Sequence, residues 1–358
     1  MLTPIDLSTG RALPTLAERG LSRYEVDDTE RLTMVMLSHQ MMRVDDAVDV
    51  MERYAGHGDI FAEMILIWNS PSIHLLTSGA LAARLRALAE ATRGRVRVSL
   101  FESRVNSMNN RFAVWPYVRT RGVWIQDDDQ WVAALQLQCL HRAWLADTTA
   151  LVGAVVERTD FAFKAPEAQP APWVSTFDTF EELTPQDCDP VAEQGGVYRC
   201  TYPSGHFYSM LLPHPWLLAR DHLQSYMAME AMTALVDNMT NCDDILMNAL
   251  VANATGRPPV AVDVQVLRHA TWRAKNSAMW QRDPDWVTHR STCMRHVQEY
   301  FRPVAKRTSA AQWPASPPMI ESGAVWQRSH TWHQCREGGL GAPQLDPHDR
   351  AAASLLTL

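Results

Sequence analysis

Residues 32–54, LTMVMLSHQMMRVDDAVDVMERY, hold two periodicities side by side. Leu32 to Leu37 is a short apolar run that suits a buried strand, whereas Val44, Ala47, Val48, Met51 and Tyr54 recur at the spacing of one helix face. The alternation then repeats. Met64–Trp68 reads as a second strand, Ala80–Thr92 as a helix ended by Gly94, and Val96–Leu100 as a third strand. Asn110–Val118 reads as a third helix and Val123–Ile125 as a fourth strand. Strands that alternate with helices need crossover connections, which pair the strands in parallel and predict an open α/β sheet with helices on both faces. Ligands of such sheets sit at the carboxyl ends of the strands. That rule gathers Leu37–Arg43, Asn69–Ser70, Phe101–Arg111 and Asp127–Asp129 around one crevice.

The rest of the chain is less regular. Residues 1–30 are polar and aperiodic and read as a tail, and residues 31–130 form the α/β domain. Residues 131–303 form a mixed second half that holds a Pro/Ala-rich and acidic excursion at 159–196. Within it Val197–Cys200 and His206–Leu212 are predicted strands, and Trp216–Leu235 and Asp243–Val251 predicted helices, the last with Gly256 near its end. Residues 304–358 are rich in Ser, Ala, Pro and Gly and are predicted to be a largely disordered tail.

Composition narrows the function classes. The 358 residues are 46% hydrophobic and 20% charged, the balance of a globular chain. A net charge of −7 and a pI near 6.0 argue against nucleic acid or a membrane surface as partner. Only Lys164, Lys275 and Lys306 of the 33 basic residues are lysines, a skew that a GC-rich genome produces. No run of about 18 apolar residues exists, and Met1 to Gly20 has no basic segment followed by an apolar one, so neither a membrane span nor a signal peptide is visible. Six cysteines without a CxxC pair lower the odds of a zinc ribbon or a thioredoxin-like site.

Four segments carry chemistry. Asp127-Asp128-Asp129 follows the fourth strand, where closely spaced carboxylates can hold a divalent ion that bridges diphosphate oxygens. Taken alone, a triple Asp is more often a solvated turn. Asn241-Cys242-Asp243-Asp244 opens an apolar helix, whose exposed N–H groups favour ionised acids suited to act as nucleophile, charge stabiliser or hydroxyl binder. Simple capping by Asn241 explains the same residues. Asn106 and Arg111 precede a helix and could reach a base or a phosphate, with an N-cap and a surface arginine as the plainer reading. Arg290 could stabilise a leaving diphosphate or lie in an ordinary salt bridge. Asn238-Met-Thr240 and Asn253-Ala-Thr255 are glycosylation sequons, and His330-x-x-His333-x-Cys335 lies in the tail.

In combination these segments resemble the exostosin-type glycosyltransferases, glycosyltransferase family 64. Asn106, Arg111, Val114 and Pro116 followed by Asp127-Asp128-Asp129 are similar to that family's Asn-x4-Arg-x-x-Val-x-Pro stretch and DDD motif. Asn241-Cys-Asp-Asp-Ile-x-Met-Asn248 is similar to its NCDDIAMN segment. Ile67-Trp-Asn69, Tyr208-Ser-Met210, Met279-Trp280-x-Arg282 and Arg290-Ser-x-Cys293 resemble further short pieces in the same order. The resemblance covers about Leu32 to Pro303.

It implies a GT-A type fold and a retaining, metal-dependent transfer of a hexosamine, GlcNAc or GalNAc, from a UDP-sugar to a glycan or glycolipid with α-linkage. On the matched positions Arg43, Asn69, Asn106 and Arg111 are expected to hold the nucleotide, and Asp127 and Asp128 to contact ribose and sugar. Asp129 is the expected ligand of Mn2+, with Mg2+ as the alternative. Asp243 is expected at the sugar, Asp244 as the catalytic carboxylate and Arg290 at the diphosphate. The resemblance also implies a Cys242–Cys293 disulfide, worth about 4 kcal/mol in the chain-entropy model. Cys139, Cys188, Cys200 and Cys335 then have three pairings, Cys188–Cys200 being preferred. Further expectations are a Golgi or ER lumen and a homo- or hetero-oligomer with another glycosyltransferase. Departures exist: Ser38-His-Gln-Met-Met42 stands where the family has a shorter T-Y-N, and the 159–196 segment is longer, so acceptor identity does not transfer. Some relatives use other donors such as GDP-mannose. A non-catalytic partner subunit is the reading from a different class. A nucleotide-sugar pyrophosphorylase lacks support, since no Gly-rich phosphate loop opens the chain.

Overall fold

Seven consecutive residues, Leu32 to Ser38, are buried. Successive side chains of a strand point to opposite faces, so an unbroken buried run means that both faces of this strand are covered. The computed structural model describes residues 2–20, 28–72, 74–77, 79–157, 201–202, 210–257, 259–264, 266–268, 286–301, 331–336 and 339–345. Strands β2 (Asp28–Ser38), β3 (Phe61–Trp68), β4 (Arg97–Ser103) and β5 (Thr120–Asp127) pair in parallel in the order β4-β3-β2-β5. Helices α1 (Met41–Tyr54) and α2 (Gly79–Ala91) make the first two crossovers. The α/β sheet expected from the alternating periodicities is present.

Register decides where the site lies. Leu37 stands opposite Asp127, Ser38 opposite Trp68, and Trp68 opposite Glu102. The four carboxyl ends therefore finish at one level, and the loops leaving them share one crevice. The third crossover is shorter than its pattern predicts. A one-turn helix, α3 (Asn110–Ala113), gives way to a 3₁₀ turn at Trp115–Tyr117, because Pro116 has no N–H to continue the helix.

Beyond β5 comes the short strand β6 (Gln130–Val132), helix α4 (Ala134–Ala146) and strand β7 (Val152–Glu157). After β8 (Thr201–Tyr202), strand β9 (Met210–Ala219) runs antiparallel between β5 and β7. The predicted helix from Trp216 is thus a strand as far as Ala219. Helices α5 (Arg220–Met227) and α6 (Glu230–Met239) follow it, and the buried pairing of Trp216 to Leu218 with β5 outweighs their helical spacing. Helix α7 (Asp243–Thr255) is buried from Asp243 through Asn253, so it runs through the interior rather than along the surface. Strands β10 (Val260–Asp263) and β11 (Val266–Arg268) precede the last described helix, α8 (Trp286–Phe301). Among the described residues no helix is long and apolar enough to cross a membrane.

Both ends of the chain correct the sequence reading. Leu2–Asp6 forms strand β1, antiparallel to β4, where the sequence predicted only a tail over 1–30. Likewise Thr331–Arg336 (β12) pairs in parallel with β10, and Gly339–Leu345 (β13) pairs antiparallel with β12, extending the far edge of the sheet within the segment predicted to be disordered. Backbone pairing at a sheet edge needs no long apolar run, which is why composition hid both. The 159–196 excursion, Val197–Cys200 and most of His206–Leu212 lie outside the described residues, as do Cys188, Tyr208, Met279, Trp280 and Arg282.

Candidate active site

Asp127 ends β5 in the crevice, and its two oxygens have different neighbours. Oδ1 lies 3.4 Å from the Arg111 guanidinium and Oδ2 lies 3.2 Å from His214 Nδ1. Burial opposes its charge, but His214, Arg111 and Arg43 outweigh burial and hold its carboxyl well below the ordinary range. Asp128 and Asp129 share a different cation. One nitrogen of Arg43 lies 2.5 Å from Asp128 Oδ1 and 2.7 Å from Asp129 Oδ2. Burial pushes Asp128 up to about 7, with Arg43 opposing and Asp129 adding to the rise. Burial also raises Asp129. Arg43, expected only at the nucleotide, is therefore an ion-pair partner of the triple Asp.

The Asn cluster comes from the ends of β3 and β4. Asn69 Nδ2 donates to Asn106 Oδ1 at 2.7 Å and to the Ser107 carbonyl at 3.1 Å, while Asn110 Nδ2 donates to Asn69 Oδ1 at 2.6 Å. Asn69 and Asn106 are thus in direct contact. Arg111 is not the surface arginine of the plainer reading: it is 4% exposed, with Nε 3.5 Å from Asp243 Oδ2.

Asp243 and Asp244 open α7 from a tight bend. Thr240 (φ 49°) and Cys242 (φ 82°) both adopt the left-handed region, an arrangement that costs free energy and recurs at functional sites. Asn241 does not cap the helix through its first turn; its Oδ1 accepts the Cys242 N–H at 2.7 Å and sits 3.4 Å from Arg290. Burial raises Asp243 to about 6, opposed by Arg111 and assisted by Asp244 and Asp127. The helix N-terminus therefore does not by itself set the charge of Asp243, since burial is the larger effect. Arg290 Nη1 lies 3.0 Å from both oxygens of Asp244. It pairs with a carboxylate in the crevice, the salt-bridged alternative to facing a diphosphate. The Cys242–Cys293 disulfide ties α7 to α8 and so brings Arg290 to Asp244. No cysteine is free among the described residues.

A divalent cation fits one atom in particular. Asp129 Oδ1 is buried without a hydrogen-bond partner, an orphaned carboxylate oxygen of the kind hard cations take. Among the described residues no three ligating side chains converge. Asp129 would hold such a cation, which would need further oxygen ligands from outside the described side chains. The wider crevice sets five carboxylates (Asp127, Asp128, Asp129, Asp243, Asp244) against three guanidinium groups (Arg43, Arg111, Arg290).

Sequence reasoning gave no role to several residues, Asn248 among them although it closes the Asn241–Asn248 motif. Gln130 and His214 face Asp127's side of the crevice, Nε2 to Nδ1 at 3.0 Å. Asn248 clamps β9, accepting the Leu211 N–H at 2.9 Å and donating to its carbonyl at 2.8 Å. Tyr226 donates to Asn109 Oδ1 at 2.8 Å, and Asn109 Nδ2 donates to Asp237 at 2.8 Å, which fixes the loop that carries Asn106. A lone polar residue inside an apolar strand, as in Leu212-Pro-His-Pro-Trp216, was the available signal for His214.

Comparison with known proteins finds one matching family and several relatives. The sequence model described as the glycosyl transferase family 64 domain matches residues 32–313. The glycosyltransferase family protein 64 C3 of Arabidopsis thaliana is 24% identical over 87% of this chain and 84% of its own length. Mouse exostosin-like 2 is 26% identical over 55% of this chain, and the match spans 53% of that protein. Among solved structures, GalNAc-T7, crystallised with UDP, GalNAc and Mn2+, is 11% identical and covers 77% of this chain and 52% of its own, with a TM-score of 0.41.

Proposed function

The chain belongs to glycosyltransferase family 64, and from that premise we propose that it moves a hexosamine, GlcNAc or GalNAc, from a UDP-sugar to a glycan or glycolipid acceptor. The proposed reaction is Mn2+-dependent, with Mg2+ as the alternative ion, and retains the α configuration. Its setting would be a Golgi-type lumen. One observation carries the reading: Asp127–Asp129, Arg111–Asp243 and Asp244–Arg290 form a single linked charge array at the carboxyl ends of the parallel strands.

In this proposal Asn69, Asn106, Arg43 and Arg111 hold the nucleotide, and Asp127, Asp128 and Asp243 orient ribose and sugar. A divalent ion held by Asp129 would supply positive charge at the diphosphate. Asp244, oriented by Arg290, faces the sugar carbon as positive charge develops there. Arg290 is the residue proposed to face the departing diphosphate, with Nη1 on Asp244 and Nη2 4.0 Å from Met210 Sδ. Close packing of the buried α7 behind Asp244 keeps water from its inner side.

The test is a donor panel with manganese, read by mass spectrometry of released UDP or GDP. UDP release from UDP-GlcNAc or UDP-GalNAc is expected, with a loss of at least about 100-fold in Asp129→Asn. Unchanged turnover in that variant, or release of GDP alone, contradicts the proposal.

A further inference from the structure

Strand β9 carries a histidine that the donor reading does not use. The antiparallel β5–β9 ladder ends at Ile125 opposite Trp216, two residues short of Asp127 on one strand and of His214 on the other. The His214 side chain is 13% exposed, and its Nδ1 lies 3.2 Å from Asp127 Oδ2 and 3.0 Å from Gln130 Nε2. Asp127's other oxygen is 3.4 Å from Arg111. The carboxylate is therefore tethered at both oxygens, by side chains from β9 and from α3.

We infer that His214 is a positioning residue of the donor site, whose Nδ1–H holds Asp127 Oδ2 so that the carboxylate is aimed before the donor arrives. Gln130, on β6 three residues beyond Asp127, brings its side-chain amide to the same ring nitrogen, 3.0 Å away, and to Asp129. A carboxylate with one tether rotates about its Cβ–Cγ bond, whereas one with two does not. The histidine therefore lowers the ordering cost of donor binding and leaves the bond-breaking step untouched. This inference rests on the reading that Asp127 contacts the donor.

Two measurements on the 358-residue chain test it. The first compares His214→Leu with His214→Asn, whose amide N–H can reach the same acceptor. His214→Leu is expected to raise the UDP dissociation constant in manganese and the donor KM about tenfold, with kcat within about threefold. His214→Asn is expected to recover most of that loss. Equal effects of the two variants, or a fall confined to kcat, overturn the positioning role. The second measurement needs no nucleotide: unfolding midpoints of His214→Leu, Asp127→Asn and the double variant. Non-additive shifts support the contact, and additive shifts overturn it. A wild-type chain that binds no nucleotide diphosphate in manganese sinks the donor reading itself, and the midpoints still report on the contact.

Discussion

Asp243 and Asp244 are neighbours with opposite surroundings. Asp244 has Arg290 at 3.0 Å on both oxygens, while Asp243 has only a looser approach from Arg111 at 3.5 Å and a buried Oδ2 without a hydrogen bond. Burial consequently lifts Asp243 to about 6, from an ordinary value of 3.8. A carboxyl raised in the folded state binds its proton more tightly there than in the unfolded chain. Its contribution to stability is thus full at low pH and is lost as pH rises from about 4 to about 6. Urea unfolding of the nucleotide-free protein should show this as a decline on the order of 3 kcal/mol assignable to this group. Asp243→Asn should flatten that part of the profile, measured as the difference between the two proteins at pH 4.5 and 7. Identical slopes would show that Asp243 titrates normally. The identity of both acids was legible in the sequence, because an acid pair opening an apolar helix is a recognisable pattern. Their difference was not, since it depends on which arginine a distant segment delivers.

The elements explain what the sequence could and could not reveal. Strands β2, β3 and β5 were readable because their buried runs are continuous, and α1 because its apolar residues keep helical spacing. Strand β9 was misread because Trp216, Leu217 and Leu218 suit either a buried strand or a helix, and only the partner strand decides. Nor could β1, β12 and β13 be seen: their pairing is backbone-driven and their composition is that of loops. Gly122 shows the same dependence on neighbours. It lies in β5 and is not needed for any unusual backbone angle, yet a Cβ there would stand 2.4 Å from the Trp144 ring and 2.5 Å from Leu32. Trp144 is fully buried on α4 and has no room to retreat. Gly122→Ala should therefore destabilise the fold by about 1–3 kcal/mol, the range of core overpacking. Since β5 carries Asp127 at its end, metal-dependent UDP binding should weaken too. Chemical denaturation and calorimetry on the one variant read both effects, and an unchanged midpoint would mean that the helix can shift away.

At the scale of the molecule the question is charge. The whole chain carries −7, and among the described residues its crevice sets five carboxyl groups, three of them raised by burial, against three guanidinium groups. A diphosphate brought into that field alone adds negative charge to negative charge at low dielectric. Arg43 does not relieve this freely, because it is already bound to Asp128 and Asp129 and leaves them only if another cation replaces it. On the proposed reading a divalent ion held by Asp129 would provide that replacement, leaving Arg43 to the nucleotide. Ion and nucleotide binding should then be strongly coupled. Calorimetry should find UDP binding at least tenfold tighter with manganese than with chelator, a coupling of about 1.4 kcal/mol or more. By reciprocity, UDP should tighten manganese binding by the same factor. Raising salt should narrow the gap, because screening weakens the crevice's repulsion of the bare anion. UDP binding of equal strength with and without the ion would mean that the arginines alone suffice, and the coupling through Arg43 would have to be abandoned.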